Sequence, residues 1–248
     1  MASVLPPIAL RALVTRLGEH DPQAIIEGFG PHLNRKPNLD NMPFDLPIEG
    51  DLQFEQLAGL FASTSLDHAV IAMTIRQAAY LFGLIRQMNA RKVIEIGRYK
   101  GGSTLLIAAA MNGEGKFWSI DVGGKEARLH RGESSRLFDE QLANMCKRFT
   151  LSVDIMVGDS RTIDIDTGEV DLVLIDGDHT YEGVKNDFER FGKRARVGGA
   201  VLFDDAFDEG LFKAHPDNTV GKLVSEIIAT GEFKLVKSVN RLAHLERV

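Results

Sequence analysis

The stretch KVIEIGRYKGGSTLLIAAAM, residues 92–111, decides the fold class. Residues 92–97 are a short apolar run that is typical of a buried strand, and residues 103–111 are an apolar segment that we predict to be a helix. Gly97, Gly101 and Gly102 lie between the two. A strand, a glycine-rich turn and a helix in this order are typical of a unit in which a ligand lies against the backbone of the turn.

The same alternation continues to the end of the chain. Further strands are predicted at residues 116–121, 151–158, 170–176 and 198–205, and further helices at residues 135–149, 181–191 and 220–230. Apolar strands that alternate with helices predict a parallel sheet covered on both faces. The last two strand-like runs, 233–239 and 241–248, are too close together for a parallel crossover and should be antiparallel neighbours. We therefore predict an α/β fold, a Rossmann-like doubly wound sheet of seven strands, mostly parallel with one reversed edge strand.

The N-terminal part of the chain has a different composition. Most of the eight prolines of the protein lie in the first 50 residues, at Pro6, Pro7, Pro22, Pro31, Pro37, Pro43 and Pro47. Because proline interrupts regular elements, residues 1–65 are predicted to be an N-terminal arm with short helices. The principal domain is predicted over residues 66–248, beginning with a helix over residues 66–88. The arm and this helix would cover the site or form a homo-oligomer contact.

Composition narrows the class of function. A chain of 248 residues fits one large α/β domain, and its net charge of −6 argues against nucleic acid as the partner. The single cysteine, Cys146, excludes an internal disulfide framework and a thiolate zinc cluster. The longest apolar stretch, residues 68–88, contains Arg76 and Arg86 and is a poor membrane span. Without a recognisable signal peptide, the expectation is a cytoplasmic protein with no membrane partner that acts on a small molecule.

The glycine turn departs from the dinucleotide-binding pattern. That pattern needs a second glycine two residues after the first, where this chain has Tyr99. Asp121 ends the second strand, where a carboxylate can accept hydrogen bonds from both hydroxyls of a ribose. Asp159, between Gly158 and Ser160, follows the third strand, where an adenine edge would arrive. The pattern favours a nucleoside ligand without a diphosphate.

Glu95, Gly97, Gly101, Asp121 and Asp159 together resemble the S-adenosylmethionine site of the class I methyltransferases. The resemblance covers roughly residues 90–248. It implies S-adenosylmethionine as the cofactor, bound by residues along the carboxyl ends of the strands. These are Glu95, Gly97, Tyr99, Gly101, Ser103, Asp121, Gly158, Asp159, Ser160, Asp176 and Asp178.

Three carboxylates should converge beside this turn, since Asp176 ends the fourth strand and Asp204 and Asp205 end the fifth. Unpaired like charges this close raise one another's pKa, and a divalent cation would remove the conflict. Carboxylate ligands without cysteine favour Mg²⁺, with Mn²⁺ or Ca²⁺ as substitutes. In the alternative interpretation these acids cap helices or face solvent, and Asp178 in particular precedes a helix.

The acids and the residue that follows them are similar to those of the metal-dependent O-methyltransferases, which include catechol, caffeoyl-CoA, macrocin and mycinamicin types. In these families a base stands three residues after the metal-binding Asp of the fourth strand; here that residue is His179. His179 and the pair Asp204 and Asp205 favour the sugar and natural-product branch, which includes cephalosporin hydroxylase-like proteins, over a catechol acceptor. The resemblance implies that Asp176, Asp204 and Asp205 hold the cation and that His179 is the general base.

The function predicted from the sequence is therefore metal-assisted transfer of a methyl group from S-adenosylmethionine to a hydroxyl of a small molecule, such as a sugar or natural product. Two alternatives stay open: a metal enzyme of the same fold with another reaction, of the cephalosporin hydroxylase-like kind, and a non-catalytic nucleoside-binding module. A nicotinamide oxidoreductase is disfavoured by Tyr99.

Overall fold

The computed structural model describes residues 73–123, 135–207 and 218–248, together with Phe54, Leu57 and Ile71. The strands are β1 (Lys92–Ile96), β2 (Lys116–Asp121), β3 (Asp154–Val157), β4 (Val170–Ile175), β5 (Ala195–Phe203), β6 (Phe233–Val239) and β7 (Leu242–Arg247). The helices are α1 (Ile75–Met88), α2 (Gly102–Met111), α3 (Ser135–Arg148), α4 (Tyr181–Arg190) and α5 (Thr219–Ala229), with a 3₁₀ turn at Gly192–Arg194.

The seven strands form one sheet in the order β3-β2-β1-β4-β5-β7-β6. Neighbours from β3 to β5 are parallel, whereas β7 runs antiparallel to both β5 and β6. The predicted fold class is confirmed. The reversed strand is β7, and β6 pairs along its outer side, so that the last two strands are antiparallel neighbours as expected. Strand order reverses between β1 and β4, which places the ligand-binding crevice at the carboxyl ends of these two strands.

Each face of the sheet carries its own hydrophobic core. On one face the buried side chains of β1, β4 and β5 pack with those of α1, α2 and α3, including Val93, Leu174, Leu81, Leu105 and Leu142. On the other face the alternate strand residues pack with α4 and α5, including Ile94, Val173, Phe203, Phe188 and Val224. This alternation follows from the two-residue period of a strand, and it leaves the strand ends as the polar part of the sheet.

The first helix begins later than predicted. Thr74 is its N-cap: the Thr74 hydroxyl accepts from Gln77 N, and Gln77 Oε1 accepts from Thr74 N, so that the two residues form a capping box. Ile71 and Met73 are buried but lie before the helix. Of the predicted helix start, residues 66–70 lie outside the described residues, as does the predicted arm except for Phe54 and Leu57.

Two further expectations concern the whole chain. In the parts of the chain that the structure describes, we find no helix with the length and apolar character needed to cross a membrane.

Cys146 is buried, and burial raises the pKa of its thiol to about 12, so that the side chain acts as a packing residue of α3.

Candidate active site

The glycine turn between β1 and α2 lies directly against the end of β4. Gly97 has φ of 90°, and a Cβ atom there would lie 1.9 Å from the backbone oxygen of Asp176. Asp176 N donates to Ile96 O at 2.8 Å, which continues the ladder between the two strands. Only glycine fits this position. The turn predicted to bind the nucleoside and the acid predicted to bind a cation therefore meet at one rim of the sheet.

Asp121 holds the backbone of this turn. Its Oδ2 accepts from Arg98 N at 2.8 Å and from Tyr99 N at 3.0 Å, and its Oδ1 accepts from Gly123 N at 2.8 Å. Tyr99 is in the left-handed region with φ of 51°, and the two backbone bonds to Asp121 fix it there. The sequence predicted Asp121 as the ribose ligand. Its observed partners make it also the residue that shapes the turn.

Arg98 lies beneath the turn, and sequence analysis assigned it no role. Its side chain is buried and crosses under β1, β2 and β3: Nη1 donates to Ser119 O at 2.8 Å and to Met156 O at 3.3 Å. Nε and Nη2 donate to the two oxygens of Asp139 in α3 at 2.9 and 3.2 Å. A buried guanidinium paired in this forked way is a strong, directional link. It ties the turn to α3.

Glu95 is fully buried beside the turn. Its carboxylate accepts from Ser103 Oγ at 2.6 Å, Thr104 Oγ1 at 2.6 Å and Ser119 Oγ at 2.5 Å. Burial raises the pKa of Glu95, while the three hydroxyls and the charge of Arg98 act in the opposite direction. The carboxylate therefore joins β1, the start of α2 and β2. Both predicted cofactor residues of this group, Glu95 and Ser103, are placed at the base of the turn, and Gly101 begins α2 with φ of 86°.

The predicted adenine end follows β3. Gly158 N donates to Asp121 O at 2.8 Å, so that this loop is joined to the predicted ribose residue. Asp159 is paired with Arg161, whose Nε and Nη2 lie 2.9 and 2.8 Å from its two oxygens. Those bonds lower the pKa of Asp159. Near this loop, burial raises the pKa of Asp187 in α4 to about 6. The loop is thus ordered by its own partners, with Arg161 over the acid.

At the ends of β4 and β5 the structure brings together Asp176, Asp205 and His179. His179 Nε2 lies 3.3 Å from Asp176 Oδ1, and His179 Nδ1 lies 3.4 Å from Asp205 Oδ2. The imidazole therefore stands between two carboxylates that come from different strands. Its side chain is 28% exposed, which is sufficient for contact with a molecule at the rim. Of the three carboxylates expected to converge, Asp176 and Asp205 both contact His179, and the charges of these two act on the pKa of Asp204.

Asp204 and Asp205 have two partners that the sequence did not indicate. Gln77 of α1 donates from Nε2 to Asp204 Oδ1 at 2.8 Å. Arg241, in the connection between β6 and β7, places Nη1 2.5 Å from Asp205 Oδ1 and Nη2 3.6 Å from Asp204 Oδ2. Both residues are distant in sequence from the acids and carry no local signal of this contact.

The electrostatics of this cluster show an excess of negative charge. Burial raises the pKa of Asp204 to about 7, and the neighbouring charge of Asp176 adds to that rise. Burial also raises the pKa of Asp176 in spite of its contact with His179. For His179 burial acts to lower the pKa, but the hydrogen bond and charge of Asp176, with the charge of Asp205, outweigh it, and the pKa is raised. Additional positive charge would be stabilised here.

The donor set of this cluster fits a hard divalent cation, because three carboxylates with no thiolate are the ligands that Mg²⁺ prefers. As they stand, the oxygens face Arg241, Gln77 and His179. Among the described residues, no three His, Cys, Asp or Glu side chains are grouped so as to hold a metal ion. Carboxylate oxygens therefore suit a divalent cation as ligands, but in this structure they contact protein side chains instead.

Asp178 is placed at the start of α4. Its Oδ1 accepts from Thr180 N at 3.0 Å, and a Cβ on Gly183 would lie 2.4 Å from its Cγ. Thr180 is the N-cap of the helix, and its hydroxyl accepts from Gly183 N at 3.1 Å. The helix is therefore capped by Thr180, and Asp178 orders the turn that leads into it.

Comparison with known proteins places this geometry in a family. Residues 94–206 match the family model described as "Methyltransferase domain". This range contains the end of β1, all of β2 to β5, the glycine turn and all three acids. This part of the chain is similar to a methyltransferase domain. The resemblance to class I S-adenosylmethionine-dependent methyltransferases is confirmed for the fold and for this domain.

Two curated relatives of this chain are methyltransferases by name. A flavonoid 3',5'-methyltransferase of Vitis vinifera is 26% identical over 157 residues, which are 62% of this chain and 64% of the relative. A caffeoyl-CoA O-methyltransferase of Medicago sativa is 24% identical over 160 residues, 62% of this chain and 61% of the relative. The matched part therefore spans less than two thirds of either relative.

Solved structures share the fold. The O-methyltransferase TomG of Streptomyces achromogenes, involved in tomaymycin synthesis and solved in complex with SAM, has a TM-score of 0.56 at 20% identity, covering 82% of this chain and 92% of TomG. An O-methyltransferase of Bacillus cereus in complex with SAH has a TM-score of 0.53 at 17% identity, covering 90% and 97%. At these identities the likeness supports the methyltransferase fold of the sheet.

Proposed function

We propose that this protein transfers the methyl group of S-adenosylmethionine to a hydroxyl of a small molecule. The observation that carries the proposal is the contact between Gly97 and the backbone of Asp176, because it puts the glycine turn and the cluster of acids and histidine at one rim. A nucleoside held by the turn would then present its sulfonium beside the group that receives the methyl. The methyltransferase domain match and the printed names of the relatives support the same reaction.

The cofactor would lie along the turn and the loop after β3. The residues proposed to contact it are those predicted from the sequence, with Asp121 and Asp159 toward the ribose and adenine. Three of the lone pairs of Asp121 are used by backbone amides of the turn and by Gly123, which leaves one for a ribose hydroxyl. Arg161 covers Asp159 and would have to rotate away for adenine to reach that carboxylate.

His179 is the proposed general base. Its neutral imidazole would take the proton of the acceptor hydroxyl while the oxygen attacks the methyl carbon in line with the departing sulfur. Asp176 and Asp205, one at each ring nitrogen, orient the ring and stabilise the imidazolium that results. Because the same carboxylates raise the pKa of His179, the base is available only above that raised value.

We further propose that a divalent cation, Mg²⁺ or a substitute, assists the reaction and is held by Asp176, Asp204 and Asp205. When bound, such an ion supplies Lewis acidity that lowers the pKa of a hydroxyl. Burial and the charges of neighbouring carboxylates raise the pKa values of Asp204 and Asp176, and a bound cation would offset both effects, which supports this proposal. The acceptor we propose has two adjacent oxygens on a sugar or natural product. Because of the names of the relatives, phenolic acceptors should be tested beside it.

The test is a calorimetric titration of S-adenosylhomocysteine into the purified chain, followed by a methyl-transfer assay with sugar and catechol acceptors. We expect micromolar binding, and transfer that rises with pH through the raised pKa of His179, because only neutral imidazole accepts a proton. His179→Ala should lower kcat about 10²–10⁴-fold and leave cofactor binding in place. EDTA should lower transfer, and Asp205→Gly should abolish its recovery with Mg²⁺.

Glycine is the right replacement at Asp205, since it removes both oxygens and tolerates the φ of 55° at that position. Asp154→Asn is the matched control, because this exposed acid begins β3 at the opposite end of the strand. Failure of the cofactor to bind would refute the proposed transferase. If the cofactor binds and methyl transfer is the same with and without EDTA, the proposed cation is refuted and the proposed transferase stands.

A further inference from the structure

Arg241 reaches the acids of the site from the connection between β6 and β7. Strand β7 pairs with β5 so that Ala243 lies opposite Phe203, which brings the residues before β7 beside the end of β5. Ala206 N donates to Arg241 O at 2.9 Å and fixes the backbone there. The neighbouring Asn240 accepts from Thr74 Oγ1 at 2.9 Å, so the connection is also anchored to the start of α1. The position of Arg241 beside the acids is thus set by the sheet itself.

The guanidinium contacts both acids without the geometry of a strong forked pair. Nη1 lies 2.5 Å from Asp205 Oδ1, while Nη2 is 3.6 Å from Asp204 Oδ2. Within the described residues, the buried Asp205 Oδ1 and Arg241 Nε atoms have no hydrogen-bond partner. The contact is therefore an attraction of charges rather than a pair of aligned hydrogen bonds. Such a contact is more easily exchanged than the forked pair of Arg98 with Asp139.

The same carboxylate oxygens are those that a divalent cation would need. Gln77 donates to Asp204 Oδ1, and His179 lies beside Asp205 Oδ2, so Asp204 Oδ2 and Asp205 Oδ1 are the oxygens outside these two contacts. Arg241 contacts both. A divalent cation that used these oxygens would stand close to the guanidinium charge, and the two like charges would repel each other.

We propose that the guanidinium of Arg241 neutralises the Asp204 and Asp205 pair in the metal-free protein. A divalent cation binds there only when the guanidinium moves away. The inference rests on the cation of the proposed function and goes beyond it, since it makes Arg241 the positioning residue that sets how readily the metal enters. A side chain that is 24% exposed has room to turn outward. Metal affinity would then be weaker than three carboxylates alone would give.

The experiment is a calorimetric titration of Mn²⁺ into the metal-free full-length chain saturated with S-adenosylhomocysteine. Arg241→Gln keeps much of the side chain but removes its charge, and we expect it to bind Mn²⁺ at least about tenfold more tightly than the unsubstituted protein, equivalent to about 1.4 kcal/mol. Arg241→Lys keeps the charge and should stay within about threefold of the unsubstituted protein, less than 1 kcal/mol. Arg196→Gln is the control, since it removes an equal charge from a pair with Asp171 at the other end of the strands.

A chemical rescue provides a second test. In Arg241→Ala, guanidinium chloride at millimolar concentration, far below its denaturing range, should weaken Mn²⁺ binding more than the same concentration of sodium chloride. Equal Mn²⁺ affinity in Arg241→Gln and the unsubstituted protein would overturn the proposal, as would guanidinium and sodium with equal effects. Absence of Mn²⁺ binding in every variant would overturn it together with the proposed cation, and methyl transfer measured in EDTA would then show whether the transferase itself stands.

Discussion

Gly97 is the residue at which the two halves of the site touch. A Cβ atom there would lie 1.9 Å from the backbone oxygen of Asp176, and the two residues directly follow the paired strands β1 and β4, which cannot separate without breaking the ladder. We therefore predict that Gly97→Ala lowers the free energy of unfolding by more than about 4 kcal/mol, or prevents folding. Urea denaturation measures the loss, and any folded fraction should have lost affinity for S-adenosylhomocysteine.

Gly231 provides the matched control for this residue. Its φ of 78° is also positive, but a Cβ there would meet nothing within 4 Å. Gly231→Ala should therefore cost only the backbone strain of about 1–2 kcal/mol. Similar losses of unfolding free energy in the two variants would contradict the close approach at Gly97. Backbone strain would then explain the whole effect of both substitutions.

At the scale of elements, the strands and helices that have a clear local sequence pattern were predicted correctly. Strands β1, β2 and β4 were predicted to within one residue, since each is a short, mainly apolar segment. Strand β3 is shorter than the predicted residues 151–158, because it lies at the edge of the sheet and pairs only with β2. The start of α1 was missed although the capping pair Thr74 and Gln77 was present in the sequence.

The same reasoning explains which site residues could be predicted. Asp176, His179 and Asp205 follow strand ends directly, and parallel strands bring their ends together at one rim. Arg241 and Gln77 reach that rim from a hairpin connection and from a helix before the first strand. Contacts between segments so far apart in sequence leave no local periodicity. The buried role of Arg98 was equally invisible, since a charged residue in a glycine turn reads as solvent-exposed.

Arg98 yields the prediction that belongs to this scale. Because its guanidinium joins the β1–α2 turn to Asp139 of α3, Arg98→Met should cost about 3 kcal/mol or more in urea denaturation, the usual effect of breaking a buried pair. It should also weaken S-adenosylhomocysteine binding by loosening the turn. Arg91→Met removes an exposed pair with Glu114 just before β1 and should cost less than about 1 kcal/mol. Unchanged cofactor affinity in Arg98→Met would show that Asp121 alone shapes the turn.

At the scale of the whole molecule, the question is whether the predicted arm is an appendage. The boundary predicted at residue 65 separates Leu57 from the domain, yet Leu57 is fully buried in the core formed with α1 and α2. The ring centroid of Phe54 lies 5.7 Å from that of Phe82 in α1, with 57° between the ring planes. Both contacts place these residues of the arm on the same face of the sheet as α2, the helix that follows the glycine turn. The core thus draws on residues from both sides of the predicted boundary.

If Leu57 belongs to that core, its truncation must behave as a core substitution. Leu57→Ala should lower the free energy of unfolding by about 2–5 kcal/mol, since the loss of a buried side chain adds a cavity to the lost transfer energy. Leu235→Ala, at a leucine that is 44% exposed on β6, should change it by less than about 0.5 kcal/mol. A chain that begins at residue 66 should then unfold at a lower urea concentration than the full chain. Equal midpoints for that chain and the full one, with little effect of Leu57→Ala, would instead make residues 1–65 a dispensable arm, because the sheet and its helices would then bury their own surface without it.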